Sequence, residues 1–455
     1  MKVVCIGSGY VGTVTAATFA KIGHSTTVID IDPNKADLIN AGKSPIFEPG
    51  LEELLQQLAG RLLTATTSFQ PVREADAVFI CVGTPSMTNG SADLQYVKKA
   101  AESIGRHLHP ERFTVIVNKS TVPVGTADLV ASIIEDSSGL RAEEQFAVVS
   151  NPEFLREGFA VQDVFFPDRI VVGAAGAQAR SRLKALYRTI AERSGYKEMW
   201  KDSPFAAMLR SANPLYLETD PKSAEMIKYA SNAFLAVKIS YINEMAQLCE
   251  ALGANVLDVA QGMGADSRIG GKFLQVSSGW SGSCLPKDTA EILAASRLYG
   301  CKLSVIEAAV EANRGMLSYC AGKLQRTLRT LNGKRIGILG LTFKPDTDDV
   351  RETQALSIIQ KLLELGASIS AYDPKGMEMF RKLHPDLPVR YCSRAEDTAV
   401  HADALVLITH WKEFRSLDWK AIGREMRNPY ILDTRNDLNG PELRSLGFRY
   451  EGIGI

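Results

Sequence analysis

Short, almost wholly apolar runs punctuate the first part of this chain, each followed by a stretch with helical spacing. The runs fall at residues 3–6, 26–29, 77–82, 113–117, 146–149 and 170–172. Strict alternation would mark a sheet with one wet face. Continuous apolar runs separated by helices instead mark a parallel sheet covered on both faces. The spacing predicts a doubly wound α/β domain over residues 1–205.

Near Ser223 the period changes. Met226, Ala230, Phe234, Val237, Tyr241 and Met245 recur at three- and four-residue intervals, which predicts one long helix stopping at Gly253. Helical patterns return over 289–298 and 304–330, giving a central helical domain over 215–325. Long helices in such a place often serve as a spine and as a dimer surface. A second α/β unit, 326–455, opens with a predicted strand at 334–339, Gly340, a helix at 354–365 and a strand ending in Ala371-Tyr372-Asp373-Pro374. Later strands are expected at 404–408 and 430–432. The chain's opening has the same shape and ends in Asp30-Ile31-Asp32-Pro33, an internal echo. The expected fold is α/β: two Rossmann-like doubly wound domains joined by a helical middle.

Composition narrows the function. Lys+Arg and Asp+Glu stand at 52 each, so no net field favours nucleic acid or a membrane surface. No window approaches 18 uninterrupted apolar residues, and residues 1–6 enter a strand without a leader, so a membrane span and a secretory signal are not expected. The seven cysteines are scattered, with no CxxC and no Cys/His cluster, which indicates neither a zinc site nor a disulfide framework. The expected location is the cytoplasm, where a thiol stays reduced.

Gly7-Ser8-Gly9-Tyr10-Val11-Gly12 lies between a predicted strand and a predicted helix. Gly7, Gly9 and Gly12 allow the tight turn, the approach of a pyrophosphate and close helix packing. Asp30 ends the second strand, where a carboxylate accepts from ribose hydroxyls and favours NAD over NADP. Lys35 softens that preference. Gly83-Thr84-Pro85 and Ser120-Thr121-Val122-Pro123 follow strands at cofactor-facing ends; they also read as proline-fixed turns.

Chemistry concentrates elsewhere. In Ser281-Gly282-Ser283-Cys284-Leu285-Pro286-Lys287-Asp288 one cysteine sits among turn-forming residues near a cation, and a thiolate is a nucleophile. Lys228 and Asn232 share a helix face, either as a solvent stripe or as an oxyanion-stabilising pair. Glu153 and Glu157, after the strand at 146–149, suit acid–base work or a helix start. Lys344 and Arg351 could hold phosphate or pair with the acids around them. Arg435 follows the strand at 430–432.

These motifs, with SPIFEPGLEELL (44–55), KSTVPVGT (119–126), NPEFLREG (151–158), DSRIG (266–270), GSCLPKD (282–288) and FKPDTDDVRET (343–353), resemble the UDP-glucose/GDP-mannose dehydrogenase family over nearly the whole length. The resemblance implies two successive NAD-linked oxidations of a nucleotide sugar at C6, through a thiohemiacetal and a thioester on Cys284. It leans toward UDP-glucose; GDP-mannose or an N-acetylated UDP-hexosamine is the alternative. It implies that Lys228 and Asn232 stabilise oxyanions, that Thr121 and Asp288 assist through a water, and that Glu153 serves thioester hydrolysis. NAD would meet Val11, Asp30, Lys35, Thr84, Thr121, Glu157, Lys287 and Arg351. The sugar nucleotide would meet Phe154, Leu155, Lys228, Asn232, Phe273, Leu274, Gln275, Val276, Ser277, Ser281, Lys344 and Arg435. Arg268 resembles an arginine that reaches a neighbouring subunit, which implies a homodimer. Ser281 stands where family members carry glycine; at positive φ it would be strained by about 1 kcal/mol. Rival readings are a two-electron β-hydroxyacid-type dehydrogenase, which needs no thiol, and a non-catalytic NAD sensor.

Overall fold

A computed structural model describes residues 1–455. The chain forms two compact units, Met1–Ala230 and Ser231–Ile455. In the first, β1 (Lys2–Ile6), β2 (Ser25–Ile29), β3 (Leu63–Thr66), β4 (Ala77–Ile80), β5 (Thr114–Asn118), β6 (Phe146–Ser150), β7 (Arg169–Gly173) and β8 (Leu215–Thr219) make one sheet in the order β3-β2-β1-β4-β5-β6-β7-β8. Every residue of β4, β5 and β6 is buried. One face packs Phe79, Val117 and Val149 against Phe19 and Leu183. The other packs Ile80, Ile116 and Val148 against Ile104 and Ile134. Each such side chain contributes roughly 1.5–3 kcal/mol by leaving water.

Two features depart from the expected sheet. β3 and β8 are additional, and both are edge strands with several exposed or half-exposed positions, so neither has an unbroken apolar run. β7 pairs antiparallel with β6. The segment between them contains only the short helix Ala160–Phe165, too little to cover the face as a parallel crossover does.

The second unit holds a wholly parallel sheet. Its strands are β9 (Arg335–Leu339), β10 (Ser368–Tyr372), β11 (Val389–Tyr391), β12 (Ala404–Leu407), β13 (Tyr430–Asp433) and β14 (Arg449–Glu451), ordered β11-β10-β9-β12-β13-β14. The first four strands of each unit therefore share one order, and the internal echo is structural. Gly7 and Gly340 both take positive φ, 99° and 95°. Each is followed by an amide that donates to the aspartate ending the second strand: Ser8 N–H to Asp30 at 2.7 Å, and Leu341 N–H to Asp373 at 2.7 Å. Asp373 is fully buried and also accepts from Thr342 N and Oγ1, Lys375 N, Gly376 N and the Trp411 indole.

The long helix spans Pro221–Leu252, close to its expected bounds, but the predicted stripe is not its inner face. Along the predicted apolar stripe Met226, Phe234 and Tyr241 are exposed, and Leu248 and Leu252 continue the same face. Glu225, Lys228, Asn232, Ser240 and Asn243 are buried. Buried polar groups are costly unless they find partners, and each of these five side chains has at least one, although Asn243 Nδ2 has none.

Candidate functional site

The dinucleotide turn has the geometry its sequence requires. Gly9 caps the helix Tyr10–Lys21. A Cβ on Gly12 would lie 1.8 Å from the Gly7 carbonyl oxygen, and one on Gly7 would lie 2.7 Å from that of Cys81. Gly9 has open space above it instead, the room a pyrophosphate needs at a helix N-terminus. Val11 lies in the first turn. Asp30 accepts from the Ser8 hydroxyl at 2.5 Å and from Asp32 N–H at 3.0 Å. Burial would raise its carboxyl, but these bonds and the Lys35 cation hold it below the usual carboxylate range. Thr84 donates to the Thr121 carbonyl at 2.9 Å, so the two cofactor-facing turns are joined. These residues fit an NAD.

In the same unit Lys228 and Glu153 form a buried ion pair, Nζ to Oε1 2.9 Å, with side chains 5% and 8% exposed. Leu155 N–H donates to the other carboxylate oxygen at 2.5 Å. Burial pushes the Glu153 carboxyl up; the Lys228 cation, the Leu155 amide and the Lys119 cation outweigh it and keep Glu153 ionised. The Phe154 ring meets two cations, the Arg169 guanidinium 3.7 Å from its centroid and the Lys228 ammonium at 5.4 Å. Lys228 is thus a core cation and not part of a solvent stripe. Glu157 is partly buried in the same loop. Glu48, from the 44–55 motif, braces that loop by accepting from Gly158 and Ala160 N–H, both at 2.7 Å.

In the second unit Cys284 is the N-cap of the helix Leu285–Leu298, with Pro286 in its first turn. The helix starts four residues earlier than its apolar spacing suggests, because proline is tolerated there. Cys284 is exposed, and negative charge at that place is favoured by the helix dipole. Asn232 Nδ2 donates to Asp288 at 2.6 Å, and Lys287 Nζ reaches the other oxygen at 2.6 Å. A chain Asn232–Asp288–Lys287 therefore lies within one turn of the thiol. Along the long helix Lys228 and Asn232 stand one turn apart.

The remaining expected residues divide. Arg435 donates to the Phe343 carbonyl at 3.4 Å and to that of Ile408 at 2.8 Å, which brings it to the loop of Lys344; burial lowers its pKa to about 10. Leu274, Val276 and Ser277 are buried, whereas Phe273 is half-buried and Gln275 exposed. Phe273 takes φ 65°. Ser281 does not adopt positive φ, which falls on Gly279 and Gly282, so serine is unstrained. Arg351 forks onto Asp349 and Arg268 onto Asp266; the Arg268 side chain is 87% exposed.

Sequence reasoning gave no role to Lys119 and Asn151, which hydrogen-bond each other in the first unit, or to Ser240, Asn243, Asn313 and Gln354, which bind the loop before Cys284 in the second. A polar residue in a helix or strand carries no mark of which backbone group it will meet.

Three segments match models of one family: residues 1–191 the NAD binding domain, 222–315 the central domain and 337–440 the UDP binding domain of the UDP-glucose/GDP-mannose dehydrogenase family. A UDP-glucose 6-dehydrogenase of Rhizobium meliloti (strain 1021) is 42% identical, over 100% of this chain and 99% of its own. Among solved structures, a UDP-glucose dehydrogenase from Pyrobaculum islandicum superposes with TM-score 0.87 at 36% identity, covering 100% of this chain and 97% of that one. A UDP-D-ManNAc dehydrogenase from Pyrococcus horikoshii gives 0.84 at 27%, covering 100% and 99%.

Proposed function

The chain belongs to the UDP-glucose/GDP-mannose dehydrogenase family, and we propose that it oxidises UDP-glucose at C6 to UDP-glucuronate. The observation that carries this reading is the thiol of Cys284 at a helix N-terminus, one turn from the Asn232–Asp288–Lys287 chain. A two-electron alcohol dehydrogenase has no use for a nucleophile so placed.

NAD, when bound, accepts a hydride from C6, once in each oxidation. Asp288 relays the alcohol proton, with Thr121 as a hydrogen-bonding partner for water. The Cys284 thiolate adds to the aldehyde carbon and gives a thiohemiacetal. Lys228 and Asn232 supply the cation and the amide N–H that stabilise its oxyanion. Loss of the second hydride leaves a thioester. Glu153, already ionised, takes a proton from the attacking water, and the C–S bond breaks to release acid and thiolate.

In this reading residues 1–205 hold NAD through Gly7, Gly9, Val11, Gly12, Asp30, Lys35, Thr84 and Glu157. Residues 215–325 carry the nucleophile, and 326–455 hold the uridine diphosphate through Lys344 and Arg435. Phe154, Leu155, Phe273, Gln275 and Ser281 serve the sugar nucleotide, and Lys287 and Arg351 the cofactor. The exposed stripe of the long helix is the dimer surface, with Phe234 at 63% exposure near its middle, and Arg268 extends toward the partner. The cytoplasm keeps Cys284 reduced.

A panel of UDP-glucose, GDP-mannose and UDP-N-acetylhexosamines, followed at the absorbance of NADH, tests the proposal. UDP-glucose should turn over best and give two NADH per sugar; Cys284→Ser should stop before the acid. One NADH per sugar, a fully active serine variant, or preference for another sugar would overturn it.

A further inference from the structure

Residues 271–284 contain no helix or strand, yet Ser277, Ser278 and Trp280 are buried. Buried peptide groups need partners, and for Ser277 and Trp280 side chains of three helices supply them. From the long helix, Asn243 Oδ1 accepts from Ser277 N–H at 2.9 Å. From the helix Ser304–Leu328, the Asn313 amide closes a two-bond ring on one residue: Trp280 N–H donates to Oδ1 at 2.7 Å, and Nδ2 donates to the Trp280 carbonyl at 3.0 Å. From the start of the helix Gln354–Glu364, Gln354 Nε2 donates to the same carbonyl at 3.0 Å.

The fit is tight on every side. Gly279 takes φ 122°, and a Cβ there would lie 2.7 Å from Asn313 Oδ1 and 3.1 Å from Gln354 Nε2. The Trp280 indole donates to Ser240 Oγ at 2.9 Å, and Ser240 donates onward to the Ala309 carbonyl at 2.6 Å. Gly282 N–H then meets the Glu352 carbonyl at 3.3 Å, and a Cβ on Gly282 would strike the Phe343 ring at 2.7 Å. Only Ser281, Gly282 and Ser283 separate the clamped residue from the helix N-cap at Cys284.

We propose that Asn313 is a positioning residue for the nucleophile, its amide replacing the neighbouring strand that this loop lacks. It acts through Trp280 and touches no substrate. Without the ring the loop relaxes, and the thiol leaves the place where the helix N-terminus favours its anion. The inference rests on the reading of Cys284 as nucleophile.

The test pairs Asn313→Ala with Asn313→Asp, which keeps the acceptor for Trp280 N–H and loses the donor. Rapid-quench turnover with UDP-glucose should show the first hydride transfer little changed, the second slowed by about tenfold or more, and the KM for NAD unmoved. The pH profile of Cys284 alkylation by iodoacetamide should move to higher pH in both variants, less so in Asn313→Asp. Alkylation needs no substrate, so it reads the loop even if UDP-glucose is not the sugar oxidised. A folded variant with wild-type alkylation profile and wild-type second transfer overturns the proposal. If Asn313→Ala does not fold, Gln354→Ala removes one bond only and should give a smaller shift in the same direction; no shift overturns it.

Discussion

Lys119 is an ammonium in the core of the first unit, 9% exposed. Its hydrogen bonds go to two neutral groups, Asn151 Oδ1 at 3.0 Å and Tyr187 OH at 3.4 Å, and Tyr187 itself donates to Asn151 at 2.6 Å. Burial lowers its pKa from the ordinary 10.5 to about 8, the attraction of Glu153 opposing part of the drop. A difference of about 2.5 pH units corresponds to a penalty of about 3 kcal/mol on the charged form. Below pH 8 both folded and unfolded chains carry the proton, and the fold bears the whole penalty. Between about pH 8 and 10.5 the unfolded chain holds the proton and the folded one does not, so stability rises with pH. Lys119→Met keeps the length of the side chain and removes the charge. Its lost hydrogen bonds give a pH-independent offset, while the relieved penalty favours the variant by up to about 3 kcal/mol at pH 7 and by almost nothing near pH 10.5. Urea midpoints of both proteins at pH 7, 8, 9 and 10 read the difference directly. If the difference at pH 7 equals that at pH 10, Lys119 is not a buried cation and the reasoning fails.

Glu153→Gln should lower kcat by roughly 10²–10⁴-fold and let an acyl adduct accumulate on Cys284; intact-protein mass after acid quench detects it, and its absence at a reduced rate would remove Glu153 from hydrolysis. If the exposed stripe is a dimer interface as proposed, the wild-type chain should sediment as a dimer and Phe234→Glu as a monomer, and a wild-type chain that sediments as a monomer rejects the stripe as an interface. Ser281→Gly should leave kcat within about twofold and cost up to about 1 kcal/mol through unfolded-chain entropy; a gain in thermal stability would reveal strain at 281.

The strands at 77–80, 114–118 and 146–150 were legible because both their faces are buried and polarity has no place to show. The edge strands Leu63–Thr66 and Leu215–Thr219 were not, since water takes one side. The long helix could be read in extent but not in orientation. A periodic stripe says that two sides differ, and here the inner side carries small apolar residues interleaved with polar ones, because Lys228 meets Glu153 and Asn232 meets Asp288. Cys284 stood out by its neighbours, yet its place as a helix cap was hidden by a proline that reads as a turn. Asn313 and Gln354 left no trace, because side chains that bind an irregular loop follow the loop's path and no period.

The two halves share one plan, and Trp411 marks a point where they differ. Where Asp30 keeps partial exposure, Asp373 is saturated by six donors, among them the indole of Trp411, 3.0 Å from Oδ2. A carboxylate offers about four lone-pair positions, and none remains for a hydroxyl. Of the two dinucleotide-shaped folds, only the first keeps a strand-end carboxylate with acceptor capacity to spare, so an adenine cofactor is expected to titrate the chain one to one.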